Sequence, residues 1–128
     1  MNSTIIQKYS KKSIPQLIEI ATKKFNTFIR SRDEGRPCIS CNLFTSLQAG
    51  HFYSGGHYPA LRFNEDNVNG QCMRCNYYLS GDLNNYRKNL IEKIGIERVE
   101  KLDMLADYHK KHGFKWERFN ILEVILRY

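Results

Sequence analysis

The chain has 128 residues, 41% of them hydrophobic and 26% charged, with a formal charge of +7, enough for one compact domain that buries roughly two thirds of its unfolded surface. It has no apolar run on the order of 18 residues and its basic start lacks an apolar signal segment, so the expectation is a cytoplasmic chain with no membrane span and no secretion signal. In such a reducing compartment the four cysteines read as metal ligands rather than as disulfides or free core thiols.

Taken in chain order, residues 1 to 12 read as a flexible basic arm. A helix is predicted from Ser13 to about Arg32. Ser13 and Gln16 form a capping-box pattern with Pro15 in the first turn, and Ile14, Leu17, Ile18, Ala21, Phe25, Phe28 and Ile29 recur at helical spacing. Its other face carries Lys12, Lys23, Lys24 and Arg30. Asp33-Glu34-Gly35-Arg36-Pro37 breaks that helix. Two Cys-x-x-Cys knuckles follow, Cys38 with Cys41 and Cys72 with Cys75, and the 30 residues between them are more than a compact zinc ribbon needs.

Within that insertion, Ser46 to Tyr53 and Tyr58 to Phe63 have strand-like composition and flank the turn signal Ser54-Gly55-Gly56, which predicts an irregular hairpin. Asn76 to Leu79 fits a short helix stopped near Ser80-Gly81. Leu83 to Ile94 is a helix ended by Gly95, Ile96 to His112 continues to Gly113, and Trp116 to Tyr128 is the last helix. The expected divisions are a basic arm and helix over 1–37, a cysteine-bound core over 38–82 and a helical tail over 83–128, within one compact domain. They carry +5, −1 and +3. With four thiolates on one zinc the centre falls to −3, so the positive surface lies in the flanks, where it can hold nucleic-acid phosphates or simply face solvent.

The core holds a kit for phosphodiester hydrolysis, which needs a base for the attacking water and a cation for the developing charge. His51, ending the first predicted strand, is the candidate base. Asn67 is placed to fix its tautomer through a carbonyl oxygen. Asn76, directly after Cys75, offers an amide oxygen to a hard divalent cation, Mg2+ or Mn2+. Arg62, on the second predicted strand, is the candidate scissile-phosphate contact; Arg74 lies inside a knuckle and covers the thiolates. His57, Glu65, Asp66 and Asp82 are candidates for a second metal ligand, Asp66 and Asp82 foremost. Lys23, Lys24 and Arg87 read as further DNA contacts, and His109 and His112 as solvated. Singly, His51 also suits a structural histidine and each Asn a turn or cap residue; only the set at this spacing points to chemistry.

Cys-Ile-Ser-Cys, Ala49-Gly50-His51-Phe52, Leu61 to Asn67, Gln71-Cys72 through Cys75-Asn76, Ser80-Gly81 and Tyr86-Arg87 together resemble the phage recombination endonucleases of the NinG (Rap) family over about residues 36 to 105. The resemblance implies an α+β fold with a zinc-anchored ββα-metal core (HNH, or His-Me finger) and flanking helices. It also implies an endonuclease acting on branched DNA such as Holliday junctions and D-loops, in the bacterial host of a phage or prophage. More distantly the core is similar to phage endonuclease VII resolvases, where the Asn after the last zinc cysteine binds the catalytic metal; that role carries over to Asn76. In those enzymes an Asp precedes the catalytic His, whereas here the position is Gly50. Paired cuts in a junction suggest a homodimer. The competing readings are a non-catalytic zinc-ribbon module that binds DNA or protein, and an HNH nuclease acting on linear duplex.

Overall fold

The computed structural model describes residues 3–128. The described elements, in chain order, are helices α1 (Ser3–Lys8) and α2 (Ile14–Arg32), strands β1 (Gln48–His51) and β2 (Val68–Gln71), and helices α3 (Leu83–Ile94), α4 (Ile96–His112) and α5 (Arg118–Arg127). The class is mixed α+β, with a two-stranded antiparallel sheet.

The capping box sets the start of α2. The Gln16 N–H donates to Ser13 Oγ at 3.3 Å and the Ser13 N–H to Gln16 Oε1 at 2.9 Å, which satisfies two amides that the first turn leaves free. Leu17, Ala21, Phe25 and Ile29 form the buried stripe. Its N-terminal half packs with Ile121, Leu122, Val124 and Ile125 of α5, while Phe25 and Ile29 close over Val68 of β2. Tyr128 seals that seam, its ring 5.0 Å from Phe25 and 4.9 Å from Phe28. A separate core joins α3, α4 and the insertion through Leu61, Tyr86, Leu90, Val99, Leu102 and Ala106. Gly95, at φ 90°, makes the sharp reversal between α3 and α4, a conformation in which a side chain is strained.

Three expectations change here. Ser3–Lys8 is helical rather than a flexible arm, with Met1 and Asn2 outside the described residues. Ile5 and Tyr9, one turn apart, form a small apolar side, and Tyr9 is buried in the α2–α5 cluster while Arg118 donates to the carbonyls of Tyr9 and Lys12. The second strand is not Tyr58–Phe63. Pro59–Leu61 is a single 3-10 turn that buries Leu61, with the Trp116 indole donating to the Pro59 carbonyl at 2.9 Å. The strand that pairs is the polar Val68-Asn69-Gly70-Gln71, in the register Gln48↔Gln71, Ala49↔Gly70, Gly50↔Asn69, His51↔Val68. All four of its residues are buried, so no alternation of apolar and polar side chains marks it. The last helix also starts later than expected, at Arg118.

Candidate functional site

The two knuckles converge. The Sγ atoms of Cys38, Cys41, Cys72 and Cys75 all lie within 4.8 Å of one another, and Cys41 and Cys72 are 3.8 Å apart. A tetrahedral zinc with Zn–S bonds of about 2.3 Å sets sulfur atoms roughly 3.8 Å apart, so these residues fit zinc. Backbone amides point inward, Cys72 N–H to Cys38 Sγ at 3.3 Å and Cys75 N–H to Cys72 Sγ at 3.5 Å. Burial opposes ionisation of Cys38, but these and neighbouring amide bonds outweigh it and lower its pKa. Burial and the adjoining thiols raise that of Cys75. Four thiolates this close need a cation among them. The chain leaves the cluster through three successive left-handed residues, Ser80, Gly81 and Asp82, at φ 52°, 92° and 45°.

His51 closes β1. Its Nε2 lies 2.9 Å from the Arg62 carbonyl. A carbonyl only accepts, so Nε2 carries the proton and Nδ1 holds the free lone pair. Nδ1 has no hydrogen-bond partner among the described residues. Burial lowers the pKa of the ring; the Arg62 carbonyl opposes this and the Arg62 charge adds to it. The imidazole is thus neutral at pH 7 with one nitrogen open to take a proton.

Asn67 does not orient that ring. Its Oδ1 accepts from the Tyr53 N–H at 2.8 Å, and its Nδ2 donates to the carbonyls of Tyr53 at 2.9 Å and Leu61 at 3.0 Å. It is fully buried and ties both ends of the 52–67 loop together. The tautomer is set by the Arg62 carbonyl that this loop presents. Arg62 itself caps the 3-10 turn rather than riding a strand; its Nε donates to Thr22 of α2 at 3.3 Å, and its guanidinium lies 6.0 Å from the centre of the Phe63 ring.

Asn76 sits in a single π-helical turn, Arg74–Tyr78, a widened geometry often found at functional sites. Its Nδ2 donates to Gln48 Oε1 of β1 at 2.9 Å. The candidate second metal ligands each have protein partners. Asp66 pairs with Arg98, and Asp82 faces the Cys75 thiol at 4.0 Å and accepts from Asn85 at 3.1 Å. Glu65 accepts from the Tyr128 hydroxyl, and His57 bonds Ser54 at 2.9 Å. Arg87 is held by Asp103 in a two-pronged ion pair at 2.7 and 3.0 Å, which also takes the Tyr53 hydroxyl, so it is not a free phosphate contact. Lys23 and Lys24 are exposed on α2, Lys23 3.7 Å from Glu19. Arg74 is exposed as well. His109 is half-buried against Phe114 and Tyr108 rather than solvated, while exposed His112 stacks on Tyr108.

Two further groups escape sequence reasoning. Asp33, read there as part of a helix break, is buried; its carboxylate takes Arg32 at 2.9 Å, Lys93 at 3.0 Å and the Gly70 N–H at 2.7 Å. Burial pushes its pKa up, yet these partners outweigh burial and hold it at about 2. Gln71 is buried beneath the sheet, its Nε2 donating to Ser40 Oγ at 2.9 Å and the Gly81 carbonyl at 2.6 Å. Only its place beside Cys72 could have drawn attention to it.

Against known proteins, residues 2–128 match the family model described as "Bacteriophage Lambda NinG protein". The chain belongs to the NinG family. It is 43% identical over 114 residues to protein ninG of Salmonella phage P22, which covers 88% of this chain and 55% of that protein. The ninG proteins of Escherichia phage lambda and Escherichia phage 933W are 42% and 41% identical over 107 residues, covering 82% of this chain and 52% and 53% of theirs. The chain therefore spans about half the length of the curated relatives it matches. No solved structure matches it. Among the described residues, no helix is long and apolar enough to cross a membrane.

Proposed function

We propose that this NinG-family chain is the catalytic core of a DNA endonuclease that hydrolyses phosphodiesters in branched DNA during phage recombination. The observation that carries the reading is His51: half-buried, neutral, proton fixed on Nε2 and Nδ1 open. A general base needs one nitrogen anchored and the other open, and His51 offers that arrangement. The order of strand, loop, strand and helical turn, with a zinc-compatible knuckle on either side, fits a ββα-metal core.

In this reading His51 Nδ1 takes the proton of the attacking water. Asn67 holds the loop that holds the base. Asn76 offers an amide oxygen, kept in orientation by Gln48, toward a divalent cation, which when bound would neutralise charge on the phosphate and the leaving oxygen. Arg62, steadied by Thr22, presents its charge beside the base, and Lys23 and Lys24 extend the positive surface along α2.

Exposed aromatic rings favour a branched substrate over a continuous duplex. Phe44, Tyr77 and Tyr78 are 76%, 75% and 70% exposed around the knuckles. Rings presented in this way stack on unpaired bases, which a branch point supplies and an intact duplex hides. The deciding assay is cleavage of a four-way junction, with a linear duplex of the same sequence beside it, in magnesium. The junction should be cut by the wild type and not by His51→Ala. No cutting by the wild type rules the nuclease out in favour of a zinc-ribbon binding module, equal cutting by both proteins removes His51 as the base, and equal cutting of the two DNAs rules out the branch preference.

A further inference from the structure

The sheet face that carries Gln48 and Gly50 on β1 and Asn69 and Gln71 on β2 has an unsatisfied oxygen in it. Strand alternation puts these four positions on one side, and Gln48 and Gln71 are direct cross-strand partners. Gln71 Oε1 is buried and has no hydrogen-bond partner. Its orientation is not free to reverse, because Nε2 already donates to two oxygens, Ser40 Oγ and the Gly81 carbonyl. An acceptor left alone in this way costs about 1 to 3 kcal/mol and calls for a reason.

Gly50 shows where that oxygen points. A Cβ on Gly50 would meet Gln71 Oε1 at 2.0 Å and Gln71 Cβ at 2.7 Å, so the glycine makes room for this amide; its φ is not in the left-handed region, and backbone freedom does not explain it. At the edge of the same face, Gln48 Oε1 receives the Asn76 Nδ2 proton at 2.9 Å. That bond turns the Asn76 Oδ1 away from Gln48 as an acceptor. Two amide oxygens, one orphaned and one fixed by its neighbour, flank β1, while Asp66 is paired with Arg98 and Asp82 faces the Cys75 thiol and accepts from Asn85.

We propose that Gln71 is a ligand of the divalent cation, paired with Asn76, and that Gln48 is the positioning residue for Asn76. The proposal rests on the nuclease reading above and names its missing second ligand. Hard cations such as Mg2+ and Mn2+ accept amide oxygens, and a site of two neutral ligands binds weakly until phosphate oxygens complete it. The cation would thus be held firmly only with DNA in place.

The test is nuclear magnetic resonance of the zinc-loaded full chain with 15N-labelled side-chain amides, titrated with Mn2+ alone. The side-chain amide signals of Gln71, Gln48 and Asn76 should broaden first, and equally in His51→Ala. Broadening centred on Asp66 or on Asp82 and Asn85, with Gln71 sharp, overturns the proposal; so does broadening nowhere. Gly50→Ala adds an independent arm, because the new methyl displaces the Gln71 oxygen. Mn2+ affinity should fall at least ~10-fold with zinc content unchanged, and an unchanged affinity counts against Gln71. Junction cleavage by the wild type separates the two failures. Cutting with a sharp Gln71 signal sinks only the ligand, whereas broadening of Gln71 without cutting leaves the cation site and sinks the nuclease.

Discussion

His51 shows how little a side chain must do once its surroundings are arranged. The Arg62 carbonyl fixes its tautomer and burial lowers its pKa below 6.5, so the basic form is already the one present at neutral pH. Removing it as His51→Ala should cost roughly 10² to 10⁴-fold in junction cleavage, the usual worth of a general base. The sign of the pH dependence follows. As the proposed base the ring would act in its neutral form, so cleavage should hold down to the lowered pKa and fall only as pH drops through it, and an acid limb above 6.5 in kcat/KM would contradict the assignment. The same shift means that the unfolded chain takes up this proton at higher pH than the folded one, so His51 subtracts stability as pH falls below about 6.5. Asn67 belongs with the loop and not with the proton. Asn67→Ala strands the Tyr53 N–H and the Tyr53 carbonyl and leaves the Leu61 carbonyl with only the Asn64 N–H, at about 1 to 3 kcal/mol for each buried group left alone. Urea unfolding should show a loss above about 2 kcal/mol. A variant as stable as the wild type but inactive would return Asn67 to the catalytic set.

At the scale of elements, the end of α2, strand β2 and the end of α3 are locked together by one carboxylate. Asp33→Ala leaves half-buried Lys93 without its carboxylate and Arg32 with only Glu65 as a counter-charge, a change expected to cost about 3 to 5 kcal/mol; urea midpoints at pH 7, against Glu34→Ala as an exposed control, measure it. The direction with acid follows from the depressed pKa. Asp33 contributes fully above its unfolded value of 3.8 and loses that contribution as pH falls toward about 2. Helices α2 to α5 are legible because they carry local signals: a capping box for α2, Gly95 and Gly113 as stops, apolar spacing throughout; the short α1 has none of these and reads as an arm. The knuckles are legible from cysteine spacing alone. Strand β2 is not, because Val68-Asn69-Gly70-Gln71 is buried on both faces and the hydrogen bonds its polar side chains make go to Arg32, Lys93, Ser40, Gly81 and Tyr86, none of them a near neighbour in the chain. The same distance hides the proposed second ligand. His51 and Asn76 could be picked out by their neighbours in the chain, whereas Gln71 and Asp33 gain meaning only from what folds against them. Arg87 is the converse case, a cation that looked free until Asp103 arrived from α4.

For the whole molecule, the thiol cluster is where these separate parts meet. The α2–α5 core and the α3–α4 core are separate apolar clusters; the sheet lies against α2 through Val68 and Ala49, and its other face, with Gln71, belongs with Asp33 and the two knuckles to a polar layer. Ser40, between the first two cysteines, accepts from Gln71 and donates to the Gly81 carbonyl beyond the last, so the knuckles and the sheet stand or fall together. Structural zinc supplies on the order of 10 to 16 kcal/mol in small zinc peptides, comparable with the whole stability of an ordinary domain. A strong chelator under reducing conditions should therefore lower the melting temperature steeply and abolish cleavage. Much of the helical circular dichroism should survive at low temperature, because α2 packs on α5 and α3 on α4 without help from the metal. Replenishing zinc, but not magnesium, should restore the melting temperature. Withdrawing magnesium alone should stop cutting and leave the melting curve where it was. If the zinc-stripped chain melts with the loaded one, the four thiols hold no structural metal and the polar layer stands on its own hydrogen bonds.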